Sequence, residues 1–459
     1  MLLRPIASLI VAILAAMFMA EPASAQSVLF EGARVIPGDG SAAIDNAALL
    51  VERGVITRIG RRGDIALPVG GTRIDLDGKT IMPAIISPHV HPGFQKGLTY
   101  LAENYTRETI MDDLNRELYF GVSTVQSLGV ERGDDISFQI RADQAAGRAG
   151  GARLLTAGRG IGAPNAGPGD PVYADFAYAV TTENQMRRAV QEQAARKVDI
   201  IKIWVDDRGG RAPRLSIPLA RAAIDEAHKH SIKIAAHIFY HDDAVALAEA
   251  GVNLFAHLVR DKEMSDDLIA TMVKNKVYVN PNLGAPERNT HASLPAWADE
   301  PYLSGLLRDT VAPEVVARIR NSYSSRDPAE VARSQQQYAI LKLSLAKLSK
   351  AGARIILGAD TGLRDHIFGY AEQKELEFMV DGGMTPSEVI VAATRRAAEF
   401  IGLTDRGTLT PGKRADLLVL DANPLDDIRN TRRISKLYLA GIEVDRAALK
   451  ESLTRSTRN

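Results

Sequence analysis

The 459-residue sequence contains no cysteine. Disulfides and thiolate metal sites are therefore impossible, and any metal must rest on imidazole, carboxylate or similar ligands. Net charge is absent too, since 56 Lys+Arg balance 56 Asp+Glu. A neutral chain lacks the basic face that binding phosphates requires, so no nucleic-acid partner is expected. Beyond residue 20 no segment is apolar for long enough to span a bilayer. No short-period repeat is present. The remaining composition, 46% hydrophobic and 24% charged, is ordinary for a soluble globular chain. It excludes disorder, collagen and coiled coil as whole-chain readings.

Residues 1–25 read as a secretory signal peptide. Arg4 gives a positive start, residues 6–20 form a run that is apolar apart from Ser8, and Ala23-Ser24-Ala25 is a small-x-small cleavage site. The run is shorter than the ~20 apolar residues that span a bilayer. The mature chain is thus expected to begin at Gln26, to be exported, periplasmic in a Gram-negative source, and to keep no stable membrane anchor.

Short β-type runs open the mature chain at Val28–Phe30, Ala48–Val51, Val55–Ile59 and Arg73–Leu76, punctuated by Arg53-Gly54 and Gly70-Gly71. Asp416–Leu420 and Lys436–Leu439 repeat the character at the far end, so 26–80 and 404–448 are expected to build one small β-sandwich. The middle, 81–403, alternates apolar runs with amphipathic helices such as Ile217–His230 and Ala244–Ala250. Eight runs stand out: Ile81–Ser87, Gly121–Val125, Arg153–Thr156, Asp199–Val205, Ile232–Ala236, Val252–Ala256, Lys276–Asn280 and Arg354–Gly358. Near-continuous apolar runs suit strands covered on both faces. The fold class expected is α/β, a (β/α)8 TIM barrel. Two long connections, 157–181 and 281–350, are placed to cover its mouth.

The positions of nine histidines carry the chemistry. His89 and His91 follow the first run in SPHVHPG, and residues i and i+2 of an extended chain face one side. His228 and His230 share the spacing but fall in a helix, where they face apart and read as solvated. His237 ends the fifth run, His257 the sixth, and Asp360 follows the eighth. Barrel enzymes hold their reacting groups at such strand ends. Lys202 lies inside the apolar run DIIKIWV, where a buried ammonium is costly. It reads as a snorkelling lysine, a Schiff-base lysine, or a lysine carbamate that bridges two cations.

The ordered set — H-x-H after strand one, Lys on four, His on five and six, Asp on eight — resembles the amidohydrolase superfamily over nearly the whole mature chain. GTLTPGKRADLLVLDANP (407–424) is similar to its closing β segment, and GGMTPSEVIVAATRRAAEFIGL (382–403) to the helices before it. The nearest branch looks like the imidazolonepropionase-like and Xaa-Pro dipeptidase-like hydrolases. The resemblance implies two divalent ions, with zinc suited to these ligands. His89, His91 and Asp360 would hold one ion, His237 and His257 the other, with carboxylated Lys202 and a hydroxide bridging. Ser87-Pro88 and Gln126-Ser127 depart from the pattern, where relatives carry an aspartate before the first histidine and Arg-Asp after strand two.

The activity implied is cleavage of an amide C–N bond in a dipeptide, N-acyl amino acid or cyclic amide. Asp360 would act as general base, with His257 assisting at the carbonyl oxygen. Tyr240, His241 and Arg159 are the expected substrate contacts, Arg159 for a carboxylate. The small-molecule substrate is the expected partner, alongside a possible homo-oligomer. Competing readings are a lactone or phosphotriester hydrolase, a metal-free Schiff-base lyase using Lys202, and a non-catalytic binding protein.

Overall fold

The computed structural model describes residues 27–167, 171–173, 176–207, 210, 212–323 and 326–456. The expected signal peptide and Gln26 lie outside the described residues. Among those described, no helix is long and apolar enough to cross a membrane.

Eight parallel strands occupy the middle of the chain: β1 Ile85–Val90, β2 Val122–Ser127, β3 Arg153–Thr156, β4 Ile201–Trp204, β5 Ile234–His237, β6 Leu254–Phe255, β7 Tyr278–Val279 and β8 Arg354–Ile355. All residues of β1, β2, β4, β6 and β7 are buried, as befits strands covered on both faces, including the polar ones of β2. One ladder runs β3-β2-β1. Another joins Tyr178–Ala179, Ile161–Gly162 and β4 through β8. A single bridge, Val90 to Thr361, connects β1 with the chain beyond β8. The ladders form no closed barrel among the described residues.

Register brings the carboxyl ends level. Ile201 pairs with Ile234 and Trp204 with His237, while Ala236 pairs with Phe255. Helices separate the strands. Ile217–Lys229 buries Ala220, Ala223, Ile224 and Ala227, one stripe at helical spacing. Asp266–Asn275 starts where Ser265 accepts from Leu268 N–H, and ends at Lys276 in the left-handed region. The 281–350 connection carries helices Pro301–Thr310, Pro313–Asn321 and Pro328–Lys350.

The two chain ends meet in two sheets. One has the order Val55–Arg61, Ala47–Glu52, Val28–Glu31, Thr72–Asp75. The other runs Arg34–Val35, Thr80–Pro83, Leu417–Leu420, Ile434–Leu439, Ile442–Glu443. Phe30, Leu49 and Ile56 of the first share an apolar cluster with Ile81, Leu417, Val419 and Tyr438 of the second. The rings of Phe30 and Tyr438 meet edge to face at 4.9 Å.

The run Ile81–Ser87 proves to be parts of two strands. Thr80–Pro83 pairs antiparallel with Leu417–Leu420, and β1 starts only after Ala84. Both halves are fully buried, so hydrophobicity does not mark the change of partner. A helix at Arg446–Ser456 extends past the expected β segment. It packs on Arg107–Tyr119, and Arg446 Nη2 donates to Tyr119 O at 3.0 Å.

Candidate metal centre

His89 is the last residue but one of β1 and is fully buried; His91 follows the strand at 5% exposure. The pleat turns both rings to one side, with centroids 5.2 Å apart. Thr361 O accepts from His91 N–H at 2.7 Å, which brings the chain after β8 alongside. Asp360 then directs Oδ1 to within 2.9 Å of His91 Nε2 and 3.1 Å of His89 Nε2. The contact with His89 lacks hydrogen-bond geometry, so that nitrogen forms no hydrogen bond. Asp360 holds this place with φ +58°, a left-handed backbone that an aspartate adopts at some cost. Ligand atoms of His89, His91 and Asp360 all lie within 4.8 Å of one another.

His257 lies two residues beyond β6 and is 1% exposed. Its ring stands 5.4 Å from that of His89 and 4.1 Å from that of His237, measured between centroids. His237 ends β5, and its Nε2 lies 3.1 Å from Asp206 Oδ2. Lys202, on β4, is 1% exposed, and His91, Lys202, His237 and Asp360 line one cavity of about 530 Å³. The 281–350 connection contributes Ala285, Pro286, Asn289 and Gln337 to it.

Burial sets the protonation states. It lowers His89 to about 3, with Lys202 adding to the shift, lowers His237 to about 4, and holds His257 well below the usual histidine range. All three rings are neutral near pH 7 and keep a lone pair. Burial also lowers the Lys202 ammonium to about 7, so much of it is a free amine. For Asp360 burial opposes ionisation, but His89 and His91 outweigh it and hold the carboxyl well below the usual range.

This donor set fits divalent metal. Neutral imidazoles and a carboxylate suit such ions. Neither ring nitrogen of His257 has a hydrogen-bond partner, nor does His89 Nε2. Buried polar atoms left so are costly, and an ion that takes their lone pairs removes the cost. Asn282 Nδ2 lies 3.2 Å from His89 Nδ1 and donates to Gly358 O at 2.8 Å.

The expected substrate contacts are spent elsewhere. Tyr240 donates its hydroxyl to Asp207 Oδ1 at 2.8 Å. His241 places Nε2 3.0 Å from Ser265 Oγ and Nδ1 3.2 Å from Asp242 Oδ1. Arg159 donates to the carbonyls of Phe176 and Ala177 and stacks over Tyr178. None of the three lines the cavity. Its walls instead include Trp204, Asp206, Phe239 and Arg260, which sequence reasoning passed over. His228 and His230 are exposed, as expected. Ser87 donates to Glu372 Oε1 at 3.1 Å, as the Thr361 hydroxyl also does, while Gln126 and Ser127 lie buried in β2.

Residues 80–444 match the family model of the amidohydrolase family. The chain is 26% identical over 412 residues to the imidazolonepropionase of Deinococcus radiodurans, covering 87% of this chain and 92% of that one. A Bifidobacterium longum structure provisionally designated a prolidase has a TM-score of 0.73 at 25% identity, covering 95% of this chain and all 100% of its own. A Xaa-Pro dipeptidase structure has a TM-score of 0.71 at 21% identity, covering 91% and 100%. Neighbours of this family imply a TIM barrel with mixed α/β content. The match over residues 80–444 shows that the chain belongs to the amidohydrolase family.

Proposed function

We propose that this chain is an exported, binuclear metal-dependent hydrolase of amide C–N bonds. One observation carries the reading. Four histidines and Asp360 converge beside the buried amine of Lys202, with His257 unpartnered at both ring nitrogens. His89, His91 and Asp360 would hold one ion and His237 and His257 the other. The half-neutral Lys202, once carboxylated, would bridge them. The names of the relatives, an imidazolonepropionase and dipeptidases, support chemistry at an amide. The same reading closes 81–403 into a (β/α)8 barrel, makes 26–80 and 404–448 one sandwich, and treats 1–25 as a signal peptide to the periplasm.

Ions bound there would polarise the scissile carbonyl and acidify water. The protein's own part is proton transfer and orientation. Asp360 directs Oδ1 toward His89 and His91, and Oδ2 is left to take the proton of attacking water and return it to the leaving nitrogen. Asp206 orients His237. His257, buried and off the cavity wall, acts as a ligand, and proton transfer falls to Asp360. A Schiff-base reading of Lys202 leaves the unpartnered imidazoles without a purpose.

Metal analysis of gently purified protein, joined to a screen of dipeptides, N-acyl amino acids, cyclic amides, lactones and phosphotriesters, tests the proposal. About two divalent ions per chain and amide turnover are expected. Full activity without metal, or turnover of esters alone, would refute it.

A further inference from the structure

Arg260 follows His257 by three residues, and its backbone N–H donates to Phe239 O at 2.8 Å, tying the loop after β6 to the loop after β5. Its side chain lines the cavity with Lys202, Trp204, His237 and Asp360. Among the described residues its guanidinium makes no hydrogen bond and no ion pair. A guanidinium carries five donors in a planar fork. Leaving all of them unspent in a partly desolvated pocket is costly unless a ligand uses them. Arg159, the cation that the sequence offers for this task, is occupied by loop carbonyls.

We propose that Arg260 anchors a carboxylate of the substrate, so that the preferred substrates are amides bearing a free carboxylate, N-acyl amino acids or dipeptides, rather than neutral or cyclic amides. The match is geometric and electrostatic. A planar fork and a planar carboxylate pair through two parallel bonds. Asp360 and Asp206 also act on Arg260, and their negative charge disfavours a phosphate dianion more than a monoanion. Trp204 and Phe239 supply apolar wall beside it for the side chain of the acid component. The substrate class rests on the hydrolase reading; the anion anchor does not.

The test separates the two. Calorimetry on the metal-loaded protein compares 3-phenylpropionate with neutral 3-phenylpropionamide, in wild type, Arg260→Met and Arg260→Lys. The acid should bind wild type about 10- to 100-fold tighter than the amide, the range for hydrogen bonds to a charged partner. Arg260→Met should lose that preference while retaining metal, and Arg260→Lys should keep part of it. Hydrolysis of N-acetyl-L-phenylalanine is then set against N-acetyl-2-phenylethylamine, which lacks the carboxylate. Arg260→Met should raise KM for the first at least tenfold more than for the second. An acid preference that survives in Arg260→Met places the carboxylate on the metal and overturns the anchor. Arg260-dependent binding without hydrolysis of any amide keeps the anchor and overturns the hydrolase reading. If Arg260→Met fails to fold, the Arg260→Lys and Arg260→Gln pair decides: equal acid binding in both overturns the anchor.

Discussion

The imidazoles of His237 and His257 meet edge to face with centroids 4.1 Å apart. They arrive from adjacent parallel strands, and burial keeps both rings neutral. Among the described residues, His237 is oriented by Asp206 at 3.1 Å, whereas His257 has no partner on either nitrogen. The pair is therefore steered from one side. Asp206→Asn should weaken metal affinity about 10- to 100-fold, as loss of a supporting carboxylate does. Competition with a chromogenic chelator measures it, and an unchanged affinity would remove His237 from the ligand set.

Asp360→Asn should keep much of the metal and lose most turnover. The amide retains an oxygen but accepts no proton, and general acid–base catalysis contributes about 10²- to 10⁴-fold. Paired metal analysis and kcat decide; a near-normal rate would place the base elsewhere.

Lys202→Ala should lose metal and activity together, and short carboxylic acids should restore part of the activity by filling the gap. Rescue by small amines alone would favour a Schiff-base lysine. Turnover that survives the substitution intact would make Lys202 structural.

Gly160→Ala should distort the cavity wall. A Cβ at residue 160 would overlap the Trp204 ring, so the indole must move. Overpacking of this kind costs ~1–3 kcal/mol. Thermal denaturation should show the loss, and Trp204→Leu in the same chain should recover part of it. Equal melting of Gly160→Ala and wild type would show that the ring is free to shift.

Removing metal with a chelator should lower the melting temperature. A ligand that binds only the folded chain at a thousand times its Kd contributes about 4 kcal/mol. His257→Leu should narrow the difference between loaded and stripped protein, since leucine leaves no unpartnered nitrogens in the stripped state. A difference as large as in wild type would argue against His257 as a ligand.

The candidate ligands were legible because each sits at or just beyond the end of an apolar run, and the carboxyl ends of parallel strands share one face. His89, His91, His237, His257 and Asp360 needed only the order of runs to be brought together. Tyr240, His241 and Arg159 needed side-chain directions, which spacing does not give in loops and at helix starts. There Asp207, Ser265 and the Phe176 carbonyl compete for the same groups. Asp206 was hidden as the first of two adjacent aspartates, a pattern that reads as solvated turn. Arg260 was hidden because a lone arginine after two apolar residues carries no periodic signal. The boundary at Ala84 was invisible for the opposite reason, an apolar run too uniform to show a change of sheet.

That boundary bears on the order of assembly. Lys79 and Asp421, which pair across the terminal ladder, stand 342 residues apart in the chain. β1 begins just past the same ladder and delivers His89 and His91. A growing polypeptide can lay β2 and β3 against β1 early, but Thr80–Pro83, the segment that leads into β1, gains its antiparallel partner only when Leu417–Leu420 has emerged. Contacts of such separation close late and slowly. The strand that carries His89 and His91 is thus braced on its approach only in the finished molecule. A chain cut short before residue 417 would carry every candidate ligand and still lack the clamp that aims two of them.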